Sequence, residues 1–210
     1  ITLDQSTLSF ASFGDTTTVT PTVKDSGGNT ISNPGISWNS SNTHIATVSS
    51  SGLVTTSGTG TNASGDGTAT ITATAGSVSA SVNVNVNQVV ASTTMSDLNH
   101  TFTAVGQTLS ATSDHKDAKG KNLYQLANTW TSSNTSIATV AKQGGSGVGH
   151  SGDTYTITAA GPGTATITST ATASNANNVS GAMTVTVGQS AASVTLSPTS
   201  KTFTSVGDTV

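Results

Sequence analysis

The chain has 210 residues, no cysteine and a formal net charge of −3, and only 7% of it is charged, against about 25% in an average soluble domain. Six Lys and no Arg cannot neutralise the run of phosphates that a nucleic acid presents. The missing Cys removes disulfides, thiolate metal sites and thiol nucleophiles, and no apolar stretch approaches the roughly 18 residues of a membrane span. Every acid is Asp, and hydrophobic residues make up 32% with aromatics at 4%. Disorder at such low hydrophobicity normally comes with high net charge, so the Thr- and Val-rich sequence reads as folded strands with small cores.

Ile1 opens directly on a strand-like pattern, as expected of a mature or excised chain. Thr17–Val23 and Ile31 flank Asp25-Ser26-Gly27-Gly28-Asn29, a hairpin-type loop. Trp38 begins the run Trp-Asn-Ser-Ser-Asn-Thr-His-Ile-Ala-Thr-Val, and Ser49–Val54 follows as a tight turn in which Gly52 supplies a positive φ. Ala69, Ile71 and Ala73 then alternate with Thr, and Val82, Val84 and Val86 alternate with Asn. Period-two alternation places the apolar set on one face of a strand and the polar set in water.

The same signatures return. Trp38–Val48 recurs as Trp130–Val140 (130 − 38 = 92), and Gly67–Thr72 recurs as Gly163–Thr168 (163 − 67 = 96). Phe10 and Gly14 recur as Phe102 and Gly106 and once more as Phe203 and Gly207. The growing offset places extra residues around Gly144–His150 and around Ser174–Asn178, both of turn-type composition. The expected units are residues 1–87, 88–188 with longer loops, and 189–210 as the opening of a third copy. The links Asn87-Gln88-Val89 and Gly188-Gln189-Ser190 are short enough for semi-rigid rods.

Seven or so short strands in roughly 90 residues point to an all-β chain of two-sheet sandwiches. Trp38, Trp130, Phe10 and Phe102 are the expected structural core. Together, Trp-x-Ser-Ser-Asn-x-x-Ile-Ala-Thr-Val, Ser-Gly-Leu-Val-Thr and Gly-Thr-Ala-Thr-Ile-Thr-Ala resemble the bacterial immunoglobulin-like group 2 domain. The second copy carries Lys142–Ala159 in place of Ser-Gly-Leu-Val-Thr. The resemblance implies tandem immunoglobulin-like β-sandwiches outside a bacterial cell or on a phage virion. It implies no catalytic residue, and no cofactor or metal site is expected.

The one charge cluster is Asp114-His115-Lys116-Asp117 with Lys119 and Lys121. Its counterpart in the first copy is Pro21–Lys24, just before the Asp25 loop, and it reads as a solvated hairpin tip. His150, in the inserted Gly-rich loop, reads as exposed. Asp15 and Asp208 follow their glycines where the second copy has Gln107, and read as turn residues that bond their own backbone. Tyr124 and Tyr155 would mark a binding face for a host receptor or glycan if both were exposed. The leading expectation is an extracellular stalk or self-assembling filament whose partners are other copies of itself. In it Val194, Leu196 and Phe203 would form an inter-chain strand.

Overall fold

The computed structural model describes residues 1–57, 66–123, 126–145, 148–172, 178–189, 191, 193–195, 197, 200, 202–207 and 209. All its regular elements are strands. The first repeat contains β1 (Thr2–Leu3), β2 (Thr7–Phe10), β3 (Thr16–Thr18), β4 (Pro21–Thr22), β5 (Ser37–Ser40), β6 (Ala46–Val48), β7 (Leu53–Thr56), β8 (Gly67–Ala75) and β9 (Val78–Val86). The second contains β10 (Ser92–Met95), β11 (Asn99–Phe102), β12 (Thr108–Ala111), β13 (Ser113–Lys116), β14 (Ala127–Ser132), β15 (Ala138–Lys142), β16 (Gly149–His150), β17 (Tyr155–Ala159), β18 (Gly163–Ala171) and β19 (Ser180–Val187).

Each repeat is an immunoglobulin-like sandwich. In the first, one sheet runs β2-β9-β8-β5 and the facing sheet β3-β7-β6, with β1-β4 as a separate ribbon. In the second, β11-β19-β18-β14-β16 faces β12-β17-β15, with the ribbon β10-β13. The long hairpin β8-β9 is the spine of the first sheet. Its inward positions Ala69, Ile71, Ala73, Val82, Val84 and Val86 are buried, while Asn83 and Asn85 face out. Alternate residues of a strand face opposite sides, so that pattern fixes the register. The first strand of each main sheet pairs in parallel with the last: Phe10 lies opposite Val86, and Phe102 opposite Val187.

Each sandwich has a core of its own. Leu8, Phe13, Val19, Ile45, Val54, Ile71, Val82 and Val84 form the first, with Trp38 and Phe10 partly buried against it. Phe102, Ile157, Ile167, Met183 and Val185 form the second, with Trp130 partly buried against it.

The stretch Lys142–Ala159 lacks the Ser-Gly-Leu-Val-Thr motif and still keeps the strand pairing. β17 lies between β12 and β15 as β7 lies between β3 and β6. The ladder requires only inward alternation, and Tyr155, Ile157 and Ala159 supply it. The inserted residues add β16 to the outer edge of β14, where Ala127 pairs with His150. His150 is half-buried there rather than exposed, and its ring lies 3.6 Å from Asp153. Lys142 bonds Asp153 at 3.0 Å and the Val148 carbonyl at 2.9 Å. That bond is the main reason the Asp153 carboxyl sits below its ordinary range.

Gly52 closes the turn before β7 with φ +82°, and its carbonyl accepts the Val19 N–H at 2.9 Å. A Cβ there would meet the Val19 carbonyl oxygen, and the Trp38 ring at 2.9 Å. Gly76, between β8 and β9, has φ +58° and open space around it. Gly76→Ala is therefore expected to cost about 1 kcal/mol, the left-handed strain alone. Gly52→Ala adds a collision with backbone, and about 3 kcal/mol or more is expected. Urea denaturation followed by Trp38 fluorescence checks the contrast, and equal costs would contradict it.

Candidate functional site at the junction of the repeats

The strands set two poles in each repeat. β2 and β9 end together at Phe10 and Val86, while the ribbon β1-β4 precedes β2 and leads into the Asp25 loop at the opposite pole. The second repeat has the same polarity, so its Asp117 loop faces the Phe10–Val86 pole of the first.

The turn holding Asp117 is built like the Asp25 turn. Lys24 bridges Thr30, and Lys116 bridges Asn122. Asp117 is thus the counterpart of Asp25, one position on from the Pro21–Lys24 match read from sequence. In both turns the Asp N–H donates to the carbonyl four residues later, at 2.9 Å. In both, Oδ1 accepts two backbone N–H groups at 2.9 Å: from Gly27 and Asn29, and from Lys119 and Lys121.

The second oxygen separates them. Oδ2 of Asp117 accepts the Phe13 N–H of the first repeat and the Gln88 Nε2–H of the link, each at 3.1 Å. Asp117 is only 2% exposed and Gln88 1%. The solvated tip expected for Asp114–Asp117 is therefore corrected. Ser113, His115 and Asp117 are the inward positions of β13 and the turn that follows it, and all three are buried. A buried carboxylate needs charge-assisted hydrogen bonds to offset its lost hydration, and four donors from both repeats provide them.

The chain link is fixed from both sides. Asn87 and Val89 donate backbone bonds to Phe10 and Ala11 at 3.0 Å, and Ala91 donates to Lys116 at 2.8 Å. Gln88 N–H reaches Asp66 at 2.6 Å. Between these anchors Val90 is buried against Leu123 and Ala171, with Leu126 and Val179 packed around them. At the rim, Lys119 Nζ meets Asp15 Oδ1 and the Gly14 carbonyl, each at 3.0 Å. Asp15 also caps Ser12 N–H and pairs with Thr56. Its Lys119 contact is half-exposed and adds little stability.

Next to the junction lies a buried polar network. The Thr93 hydroxyl donates to the Val179 carbonyl at 3.0 Å, so it accepts Nδ1–H of His115 at 2.7 Å. His115 Nε2 then accepts from Asn128 at 3.4 Å, and Asn128 Oδ1 accepts the Tyr155 hydroxyl at 3.2 Å. Every contact suits a neutral imidazole. Burial pushes the His115 pKa down, only partly opposed by Asp114. The ring is 0% exposed, so it is closed to any substrate. Tyr155 is likewise buried, stacked on Trp130 at 4.5 Å, and burial raises its pKa.

Among the described residues, no group of three His, Cys, Asp or Glu could hold a metal ion. Val194 and Phe203 are exposed at 84% and 49%, and no strand is assigned to the described residues beyond Val187. Leu196, Tyr124 and Asp208 lie outside the described residues. The sequence reading missed Phe13, Gln88, Val90 and the bridging role of Asp117. The signals were present: Asp25 and Asp117 share the 92-residue offset, and Gln88 returns as Gln189.

No family model and no curated protein matches the chain. Among solved structures it is similar to the surface layer protein SbsC, domains 1–6, at 24% identity and TM-score 0.45, over 83% of this chain and 23% of that one. It is similar to SbsC domains 4 and 5 at 25% and 0.44, over 81% of each chain. It is also similar to the Yersinia pseudotuberculosis adhesin InvE at 18% and 0.40, over 88% of this chain and 57% of that one. The chain spans about a quarter of the first of these.

Two outcomes are expected. Asp117→Ala leaves two buried donors unpaired at about 1–3 kcal/mol each and lowers the urea midpoint far more than Asp25→Ala, which removes the same turn cap without the crossing bonds. Equal effects would deny Asp117 its bridging role. The second concerns pH. The folded pKa of His115 lies below its unfolded value of about 6.5, so unfolding takes up a proton in that window. Stability from this group is complete above pH ~6.5 and is lost as pH falls toward the folded pKa. His115→Val, the residue found at Val23 in the first repeat, should flatten that slope in urea titrations between pH ~5 and ~7. An unchanged slope would assign it to other groups.

Proposed function

We propose that the chain is a non-catalytic spacer of the bacterial immunoglobulin-like group 2 kind. In this reading the units 1–87 and 88–188 are stacked pole to pole as part of an extracellular stalk or filament on a bacterial surface. The observation that carries it is the link: every residue from Asn87 to Ala91 is bonded or buried, so the joint transmits orientation instead of acting as a hinge. A stalk needs that property, because fixed joints hold a distance that freely jointed beads do not. Repeating units that meet mainly their neighbours allow length to change without a new core. Assembly between chains is supported by the exposed Val194 and Phe203, which with Leu196 would offer strand pairing to another copy. A receptor- or glycan-binding face draws no support from Tyr155, which is buried.

Small-angle scattering of the 210-residue chain tests the reading. A nine-residue strand spans about 30 Å, so two stacked units give a maximum dimension of about 60 Å or more. A compact particle of this length has a radius of gyration of about 17 Å and a width of about 45 Å, and that width would overturn the stacked arrangement.

A further inference from the structure

The two ribbons are attached to their sandwiches by opposite chemistry. Strand register aligns Thr93, Ser113, His115, Asn128 and Ser169 of the second repeat with Ile1, Pro21, Val23, Ile36 and Ala73 of the first. Five apolar positions are thus five polar ones in the second repeat, on the seam between the ribbon and the main sheet. Tyr155 belongs to the same change. It stands where the first repeat has Gly52, and its hydroxyl reaches the seam at Asn128.

The cluster is bonded throughout. Ser113 and Ser169 share a hydrogen bond of 2.8 Å, and Asn128 donates to Ser113 at 3.3 Å. With the His115 bonds to Thr93 and Asn128, these tie the ribbon to β14 and β18. His115 N–H also donates to the Ser151 hydroxyl at 3.2 Å, and Gly152 N–H to the Ser113 carbonyl at 2.9 Å. The same ribbon carries the joint. The Lys116 carbonyl holds Ala91 of the link, the His115 carbonyl holds Leu123 under Val90, and Asp117 follows directly.

His115 is the one member of the cluster that changes charge near neutral pH. Nδ1 already donates to Thr93, so an added proton goes to Nε2, which faces the Asn128 amide donor at 3.4 Å. Turning that amide would accept the new proton but leave the Tyr155 hydroxyl proton without its acceptor. No counter-charge is at hand among the described residues. β10, β14, β18 and β19 contain no titratable side chain. β17 brings Tyr155, and the turn before it brings Asp153, already held by Lys142 and His150. Asp114 and Lys116 lie on the other face of β13, and Asp117 has both oxygens committed. A buried imidazolium without a carboxylate partner is unfavourable, and it regains hydration by leaving the seam.

We propose that His115 is an acid-operated release for the joint: protonated at Nε2, it parts the ribbon β10-β13 from the main sheet and takes the Asp117 turn and the link with it. Both sandwich cores stay folded, and a stalk that is fixed at neutral pH becomes jointed in acid. The release rests on the fixed joint of the stalk reading above.

Hydrogen exchange of single backbone amides at pH ~7.5 and ~5.5, with and without about 1 M urea, tests the release. In the wild type, protection of the Ala91, Leu123 and Phe13 N–H groups is expected to fall by up to about tenfold over that interval, because opening takes up one proton. It should respond little to urea, since a local opening exposes little surface, whereas the amides of Ile167 and Val185 in the core respond strongly. His115→Gln, neutral and still able to hydrogen-bond, removes the pH response of the three amides. Should that variant fail to fold, His115→Val with Thr93→Ile and Asn128→Ile restores the apolar seam of the first repeat and removes it equally. A response that persists in these variants would belong to Asp66 or Asp117 and overturns the proposal. So does wild-type protection that is the same at both pH values, or that follows urea as steeply as the core. A Phe13 N–H left unprotected at pH ~7.5 overturns the fixed joint itself, and the release with it.

Discussion

The joint between the repeats depends on one carboxylate having both oxygens committed. Oδ1 of Asp117 shapes its own turn, and Oδ2 holds Phe13 of the preceding repeat and Gln88 of the link. A carboxylate at 2% exposure is unfavourable without such donors. The turn is therefore stable in its buried place only while the first repeat supplies its share. The same four bonds set direction, because planar acceptor geometry fixes the donors more tightly than apolar contact does. Val90 adds the apolar part and removes the last free residue of the link.

The sandwiches themselves are assembled from modest parts. Alanine, valine and isoleucine fill the inward positions of the central hairpins, and threonine and asparagine cover the outside. Such cores have little apolar area per residue, so bonds between units matter more than they would in a larger domain. The second repeat has absorbed its insertions without change to the strand order that both share. Its extra strand β16 and the Lys142–Asp153 pair lie at an edge, outside the spine.

The strands and the repeat were legible in the sequence because both depend on local pattern. Val82, Val84 and Val86 announce a half-buried strand, and Trp38 and Trp130 align two copies without further information. The junction was not legible in the same way. Asp114–Asp117 is charged, and charge ordinarily marks solvent. Burial at His115 comes from neutral partners on β10 and β14, and burial at Asp117 comes from another repeat. Neither partner is near in sequence. Phe13 escaped for a related reason: the second copy has Val105 there, so repetition gave it no weight. The stretch Lys142–Ala159 shows the converse, since a lost motif left Tyr155, Ile157 and Ala159 in the right alternation.

The central claim is that the two repeats share one orientation set through Asp117. Residual dipolar couplings of backbone amides in both repeats measure this most directly. One alignment tensor, equal in magnitude and direction for residues of the two repeats, is the predicted result, with the tensors separating in Asp117→Ala. Two tensors of different magnitude in the wild-type chain would mean a hinged joint and would contradict the account.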